Sequence, residues 1–168
     1  DIDWFNDLYL AKRTSIDLSI RSVKKTKDSL VVNIKKFKKN KLPFVLAQIK
    51  NDSVIDKKWI NNIYKQGNVY LKNHNPDYIA INPETRFTEK NKINNWKYLG
   101  NSLNIKPLHF NFLKDYQSSK RNQIFYNPIA NFNLYDGVSF GSKFYDKGIL
   151  AQKFTFEVMP QYSSVNKN

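Results

Sequence analysis

The side chains that could do chemistry are few, and each set lacks a partner. His74 and His109 are the only histidines, and there is no cysteine. A zinc site takes four ligands, or three and a water, so two distant imidazoles without a carboxylate at ligand spacing do not build one. Gly137-Val138-Ser139-Phe140-Gly141 spells the nucleophile elbow of serine hydrolases. That chemistry needs a sharp strand-to-helix turn and a histidine further along; here Ser139 lies in an alternating stretch and no histidine follows it. The glycines suit a turn and a strand bend instead. Glu84 and Glu89 have Arg86 and Lys90 close by, a pattern of local ion pairs rather than of a general acid and base. No residue is assigned a catalytic or metal-binding role, and Trp59, Trp96 and Phe110 are read as packing residues.

Lys35, Lys36, Lys38, Lys39 and Lys41 crowd the tip of an expected hairpin between Ser29 and Lys50. Closely spaced ammonium groups bind polyanions, so a lipid phosphate, lipopolysaccharide, an anionic glycan or nucleic acid would suit them. Only Phe37 interleaves, which leaves nucleic acid without a stacking platform and disfavours it. The simpler reading is a solvated hairpin end whose charges deter edge pairing.

The elements that must carry these residues are strands. Ile16, Leu18 and Ile20 alternate with Asp17, Ser19 and Arg21, and further strands are expected near 29–37, 44–50, 54–60, 68–72 and 78–82. Lys27-Asp28, Asn51-Asp52, Gln66-Gly67 and the run from Asn73 to Pro76 supply the turns. Strands spaced roughly ten residues apart predict a β-sandwich of about seven strands over 15–82. The segment 1–14 carries the end of a helix, with Phe5, Leu8 and Tyr9 on one face. Residues 83–127 form a connector with some order of its own.

Residues 128–168 predict three more strands, Ile129–Tyr135, Val138–Tyr145 and Phe154–Tyr162, with Asp136-Gly137 as the first turn. Val138, Phe140 and Phe144 fall on one face of the second, and Phe154, Phe156, Val158 and Tyr162 on one face of the third. This alternation matches strands of an outer-membrane β-barrel, whose apolar residues would face lipid. Three strands do not close a barrel, so further strands beyond Asn168 are expected; a soluble meander is the other reading.

The formal charge is +14, from 28 Lys and Arg against 14 Asp and Glu. Such an excess suits an anionic partner, although Lys-rich, Asn-rich and Ile-rich sequence also arises from AT-rich coding. Without cysteine there is no disulfide framework and no thiolate zinc site. The chain starts at Asp1 and its only methionine is Met159, which points to a segment of a longer protein or a processed product. No signal peptide and no run long enough for a membrane helix is visible.

Asp3-Trp4-Phe5-Asn6-Asp7-Leu8-Tyr9 resembles the segment that closes the catalytic domain of aminopeptidase N-like zinc metallopeptidases, the gluzincins. In that family a β-sandwich follows directly. Asn94-Asn95-Trp96-Lys97-Tyr98-Leu99, Asn122-Gln123-Ile124-Phe125-Tyr126-Asn127-Pro128 and Leu134-Tyr135-Asp136-Gly137-Val138 are similar to runs of a Gram-negative branch that enters a C-terminal outer-membrane barrel. Asn6, Tyr9 and Arg13-Thr14-Ser15 depart from the family pattern.

The resemblance implies a non-catalytic C-terminal region, with its own upstream catalytic domain as partner. It implies zinc in that domain if the parent is active, held by a His-Glu-x-x-His helix and a distant Glu that this sequence does not contain. It places the chain in the bacterial outer membrane, against lipid and other outer-membrane proteins, with the sandwich periplasmic or surface-exposed. Two other readings stand beside it: a basic sandwich that binds a polyanion, and a zinc-less scaffold in an outer-membrane assembly.

Overall fold

The computed structural model describes residues 16–84, 89, 91–113, 117–135, 137–148 and 154–165. They divide into two units, Asp1–Lys106 and Pro107–Asn168. The expected helix end over 1–14, and the motif Asp3–Tyr9, lie outside the described residues. Both units are built from strands, so the protein is mainly β.

In the first unit, a period of two sorts side chains to opposite faces. Along β2 (Ser29–Lys36), Leu30, Val32, Ile34 and Lys36 are buried and the residues between them are not. β1 (Leu18–Lys25) and β5 (Gln66–Lys72) pair antiparallel with β2 and give a three-stranded sheet. β1 buries Leu18, Ile20 and then Val23, because a bulge between Ile20 and Ser22 shifts the parity by one residue. That shift hides the strand's second half from an alternation test.

The second sheet has the order β4-β3-β6-β7, with β3 at Phe44–Lys50, β4 at Ser53–Ile60, β6 at Tyr78–Ile81 and β7 at Trp96–Tyr98. Asn51 and Asp52, both with positive φ, make the two-residue turn between β3 and β4. Leu18, Ile20, Leu30, Val32 and Ile34 from one sheet and Phe44, Leu46, Ile60, Ile79 and Ile81 from the other belong to one buried cluster. Each such side chain contributes about 1.5–3 kcal/mol of transfer free energy, so the shared core makes this unit sandwich-like.

Two buried polar groups tie the sheets together. Gln48 on β3 donates to Asp56 Oδ2 (2.9 Å) and to the Lys72 carbonyl (2.8 Å), and its oxygen accepts from His74 N (3.2 Å). Glu89 accepts from Leu18 N (3.1 Å) and Asn82 Nδ2 (3.3 Å), and the Asn82 oxygen accepts from Val45 N (2.9 Å). Both satisfy buried backbone groups that an apolar side chain would leave unpaired.

The expected hairpin from Ser29 to Lys50 is not one. β2 pairs with β1 and β5, and β3 with β4 and β6, so residues 37–43 cross from one sheet to the other. The connector expected over 83–127 also carries pairing. β7 pairs with β6, with Tyr78 and Tyr98 rings 5.0 Å apart, and strands of the second unit begin before residue 128.

The second unit is one sheet, made of β8 (Leu108–Phe112), β9 (Asn122–Asn133), β10 (Gly137–Tyr145), β11 (Glu157–Val158) and β12 (Gln161–Ser163). β10 pairs antiparallel with β9 along its whole length, and with both β11 and β12 on its other edge. β8 is parallel to β9. Pro128 has no N–H to offer, and pairing with β8 stops two residues earlier, at Phe112 with Tyr126. The third strand, expected as one run, is broken at Pro160 for the same reason; its carbonyl still accepts from Ser142 N (3.1 Å), and β11 and β12 keep one register against β10.

Candidate functional site

The register of the second unit sorts its two faces by chemistry. Phe140 lies opposite Ala130 and Tyr162, Phe144 opposite Tyr126 and Val158, and Val138 opposite Phe132. β8 adds Phe110 and Phe112 beside Ile124 and Tyr126. Phe112, Tyr126 and Phe144 form a row of rings, 5.2 Å and 6.3 Å between centroids. This face is apolar across the sheet, yet Phe140, Phe132, Val158 and Tyr162 are all exposed.

The other face is mostly polar. Ser139 Oγ and Ser163 Oγ share a hydrogen bond (3.0 Å), Asn131 Nδ2 donates to Gln161 Oε1 (3.2 Å), and Asn127 Nδ2 donates to the Tyr145 hydroxyl (3.3 Å). Lys143 and Glu157 form an ion pair at 2.9 Å. Phe125 and Tyr145 stand opposite each other at one end of this same face and are buried, while Ser139 is only 6% exposed. A sheet that folds in water buries its apolar face; this one leaves much of it exposed, while on the polar face the Asn131–Gln161 pair meets solvent and Asn127 Oδ1 is buried without a partner.

Of the residues expected to face lipid, Val138, Phe140, Phe144, Val158 and Tyr162 share the exposed face. Phe154 and Phe156 lie ahead of β11, outside any strand. Phe156 N donates to Asp146 Oδ1 (2.8 Å), which draws this segment to the end of β10. Sequence reasoning missed Phe110, Phe112, Ile124 and Tyr126. Leu-His-Phe-Asn-Phe over 108–112 alternates as plainly as β10, but its shortness and the proline in β9 obscured both strands.

The lysine cluster does not assemble as expected. Lys38, Lys39 and Lys41 are exposed and Lys35 is half-buried, but Lys36 is 0% exposed. Its ammonium donates to the carbonyls of Asn40 (3.2 Å) and Leu42 (2.7 Å) and lies 5.5 Å from the Phe44 ring centroid. Burial lowers its pKa from 10.5 to about 8. Lys36 is the internal clasp of the 37–43 crossover, and its parity with Leu30, Val32 and Ile34 is the signal that marks it.

Glu84 pairs with Lys57 at 3.5 Å, and Glu89 is buried, where desolvation raises its pKa against the hydrogen bonds from Asn95, Leu18 and Asn82. Arg86 and Lys90 lie outside the described residues. His74 and His109 are exposed and belong to different units. Among the described residues no three His, Asp or Glu come together as a metal group, and no helix is long and apolar enough to cross a membrane, which does not bear on strands. Set against protein-family models, curated proteins and solved structures, the chain matches none.

Proposed function

We propose that this chain is the non-catalytic, membrane-proximal part of an outer-membrane protein of the aminopeptidase N-like metallopeptidase type. The sandwich-like unit serves as spacer and docking surface for an upstream catalytic domain. The strands β9, β10 and β11–β12 enter a membrane barrel that further strands beyond Asn168 complete. Val138, Phe140, Phe144, Val158 and Tyr162 lie against lipid, and the hydrogen-bonded layer of Ser139, Ser163, Asn131 and Gln161 faces the lumen.

The observation that carries this reading is the exposed apolar face of the second unit's sheet. Lipid accepts exposed aromatic and aliphatic side chains without penalty, and a polar lumen suits the opposite face. The peptidase part rests on the sequence motifs alone. Zinc in the upstream domain would supply an activated water for attack on a peptide carbonyl; among this chain's described residues no metal group comes together, and their task is to hold that domain at the membrane.

Fractionation of native cells, probed with an antibody against the sandwich-like unit, tests the proposal. A band far above 19.8 kDa in the outer-membrane fraction supports it. A band in the soluble fraction overturns the anchor.

A further inference from the structure

The three-stranded sheet of the first unit turns one face to the core, and its register shows what the other face carries. Ser19, Lys35 and Gln66 stand side by side across β1, β2 and β5. The next row is Ser22, Asn33 and Asn68, then Lys24, Val31 and Tyr70, and last Ser29 and Lys72. The bulge adds Arg21 to the second row: Ile20 and Val23 on either side are buried, while Arg21 and Ser22 are both exposed. Each row therefore holds one cation, Lys35, Arg21, Lys24 and Lys72 in turn, and no row holds a carboxylate. Rows on one face of a strand lie about 7 Å apart, so the charges mark a track about 20 Å long. Carboxylates bound it at the ends. Asp17, ahead of the first row, accepts from Asn94 Nδ2 (3.2 Å), and Asp28 lies in the β1–β2 turn past the last. Among the described residues none of the track's cationic groups makes an ion pair or a hydrogen bond.

We infer that this face binds an acidic polysaccharide, whose carboxylate or sulfate groups lie on Arg21, Lys24, Lys35 and Lys72. The side chains between the charges suit the uncharged part of such a polymer. Asn33 Nδ2 donates to Asn68 Oδ1 (2.7 Å) and Gln66 Nε2 to Asn33 Oδ1 (3.3 Å), which holds the three amides in place. Asn68 Nδ2 and Gln66 Oε1 keep no partner among the described residues, and present a donor and an acceptor to sugar hydroxyls.

A nucleic-acid strand has comparable charge, but its bases call for successive aromatic platforms, and Tyr70 is the one ring in these rows. An anionic lipid surface would use the cations and leave the amides without a role. Lysines 38, 39 and 41 of the crossover raise the overall charge but stand outside the rows. The inference does not depend on the proposed membrane anchor.

The test is titration of the 168-residue chain against a fluorescent galacturonate oligomer of about ten residues and an oligo-dT strand of about the same charge, followed by anisotropy. At about 100 mM salt the galacturonate is expected to bind at least about tenfold more tightly than the oligo-dT. Because the chain is so basic, the decisive comparison keeps net charge equal. Arg21→Gln, Lys24→Gln, Lys35→Gln and Lys72→Gln combined should weaken galacturonate binding at least about thirtyfold; Lys38→Gln, Lys39→Gln, Lys41→Gln and Lys58→Gln combined should weaken it less than about threefold. Asn68→Ala should weaken it about threefold or more, and leave binding to vesicles containing about one third phosphatidylglycerol unchanged. Should the fourfold face variant fail to fold, Arg21→Gln with Lys72→Gln should weaken binding at least about fivefold more than Lys38→Gln with Lys39→Gln. No binding of the galacturonate, equal loss from the two charge sets, oligo-dT bound as tightly, or indifference to Asn68→Ala overturns the inference.

Discussion

Tyr162 on β12 stands directly opposite Phe140 on β10, and both rings lie on the open face of their sheet, 73% and 63% exposed. On the reverse face the neighbouring pair, Ser139 and Ser163, is hydrogen-bonded and sheltered. The proposed contact with lipid would give this arrangement a physical reason. An arginine on the lipid face of a barrel costs about 2–4 kcal/mol near the bilayer centre. Phe140→Arg and Tyr162→Arg should each lower co-flotation with neutral phosphatidylcholine vesicles by at least about tenfold, while Ser163→Ala changes it little. Neutral lipid matters, because a chain of charge +14 binds anionic vesicles by electrostatics alone.

Gly141 is held to glycine by β12. A methyl group there would run into the carbonyl oxygen of Pro160, and backbone, unlike a side-chain tip, does not swing aside. Gly141→Ala should force β10 and β12 apart at a cost of about 1–3 kcal/mol. Hydrogen exchange checks this: the amides of Ser142 and Ser164, which donate to Pro160 and Val138, should lose protection while those of β2 keep theirs.

Lys36 makes stability depend on pH in a definite direction. Its folded pKa is about 8 and its ordinary value 10.5, so between these the unfolded chain binds more protons and stability rises with pH. The gain is present above 10.5 and lost as pH falls through 8. Lys106, half-buried and close to Lys97, is also lowered to about 8 by its desolvation and acts in the same sense. Lys36→Met should remove roughly half of the rise in urea midpoint between about pH 8 and 10. It should leave heparin affinity unchanged, since that ammonium is not on the surface.

Glu89 acts in the opposite sense. Burial raises its pKa above 4.5, so the folded state holds the proton longer than the unfolded one. Its contribution is full below pH 4.5 and is lost as pH rises through the raised value. The melting temperature of Glu89→Gln should therefore fall less than that of the parent across this range. Glu89→Ala should cost about 1–3 kcal/mol at any pH, because Leu18 N and the Asn82 amide lose their acceptor.

Much of the sandwich-like unit was legible in the sequence, because one buried face writes a period of two into strands such as Leu30-Val31-Val32-Asn33-Ile34. What was not legible has local causes. The bulge after Ile20 breaks that period, β7 is three residues long, and prolines 128 and 160 interrupt strands that pair on both sides of them. The alternation of β10 revealed which residues share a face, but not that the apolar face would be the open one; that needs the partners of Ser139, Asn131 and Lys143. Lys36 was grouped with its neighbours by proximity in sequence, whereas its parity with Ile34 sends it inward.

The most direct measurement uses the absence of cysteine. Single cysteines at 138, 139, 140, 143, 144 and 145, introduced in the protein in its native cells and spin-labelled in isolated outer membranes, report collision with oxygen and with a water-soluble nickel chelate. Alternation is expected: labels at 138, 140 and 144 meet oxygen and exclude nickel, and labels at 139, 143 and 145 do not. Uniform access to nickel along β10, or loss of the period of two, would contradict the membrane-facing sheet.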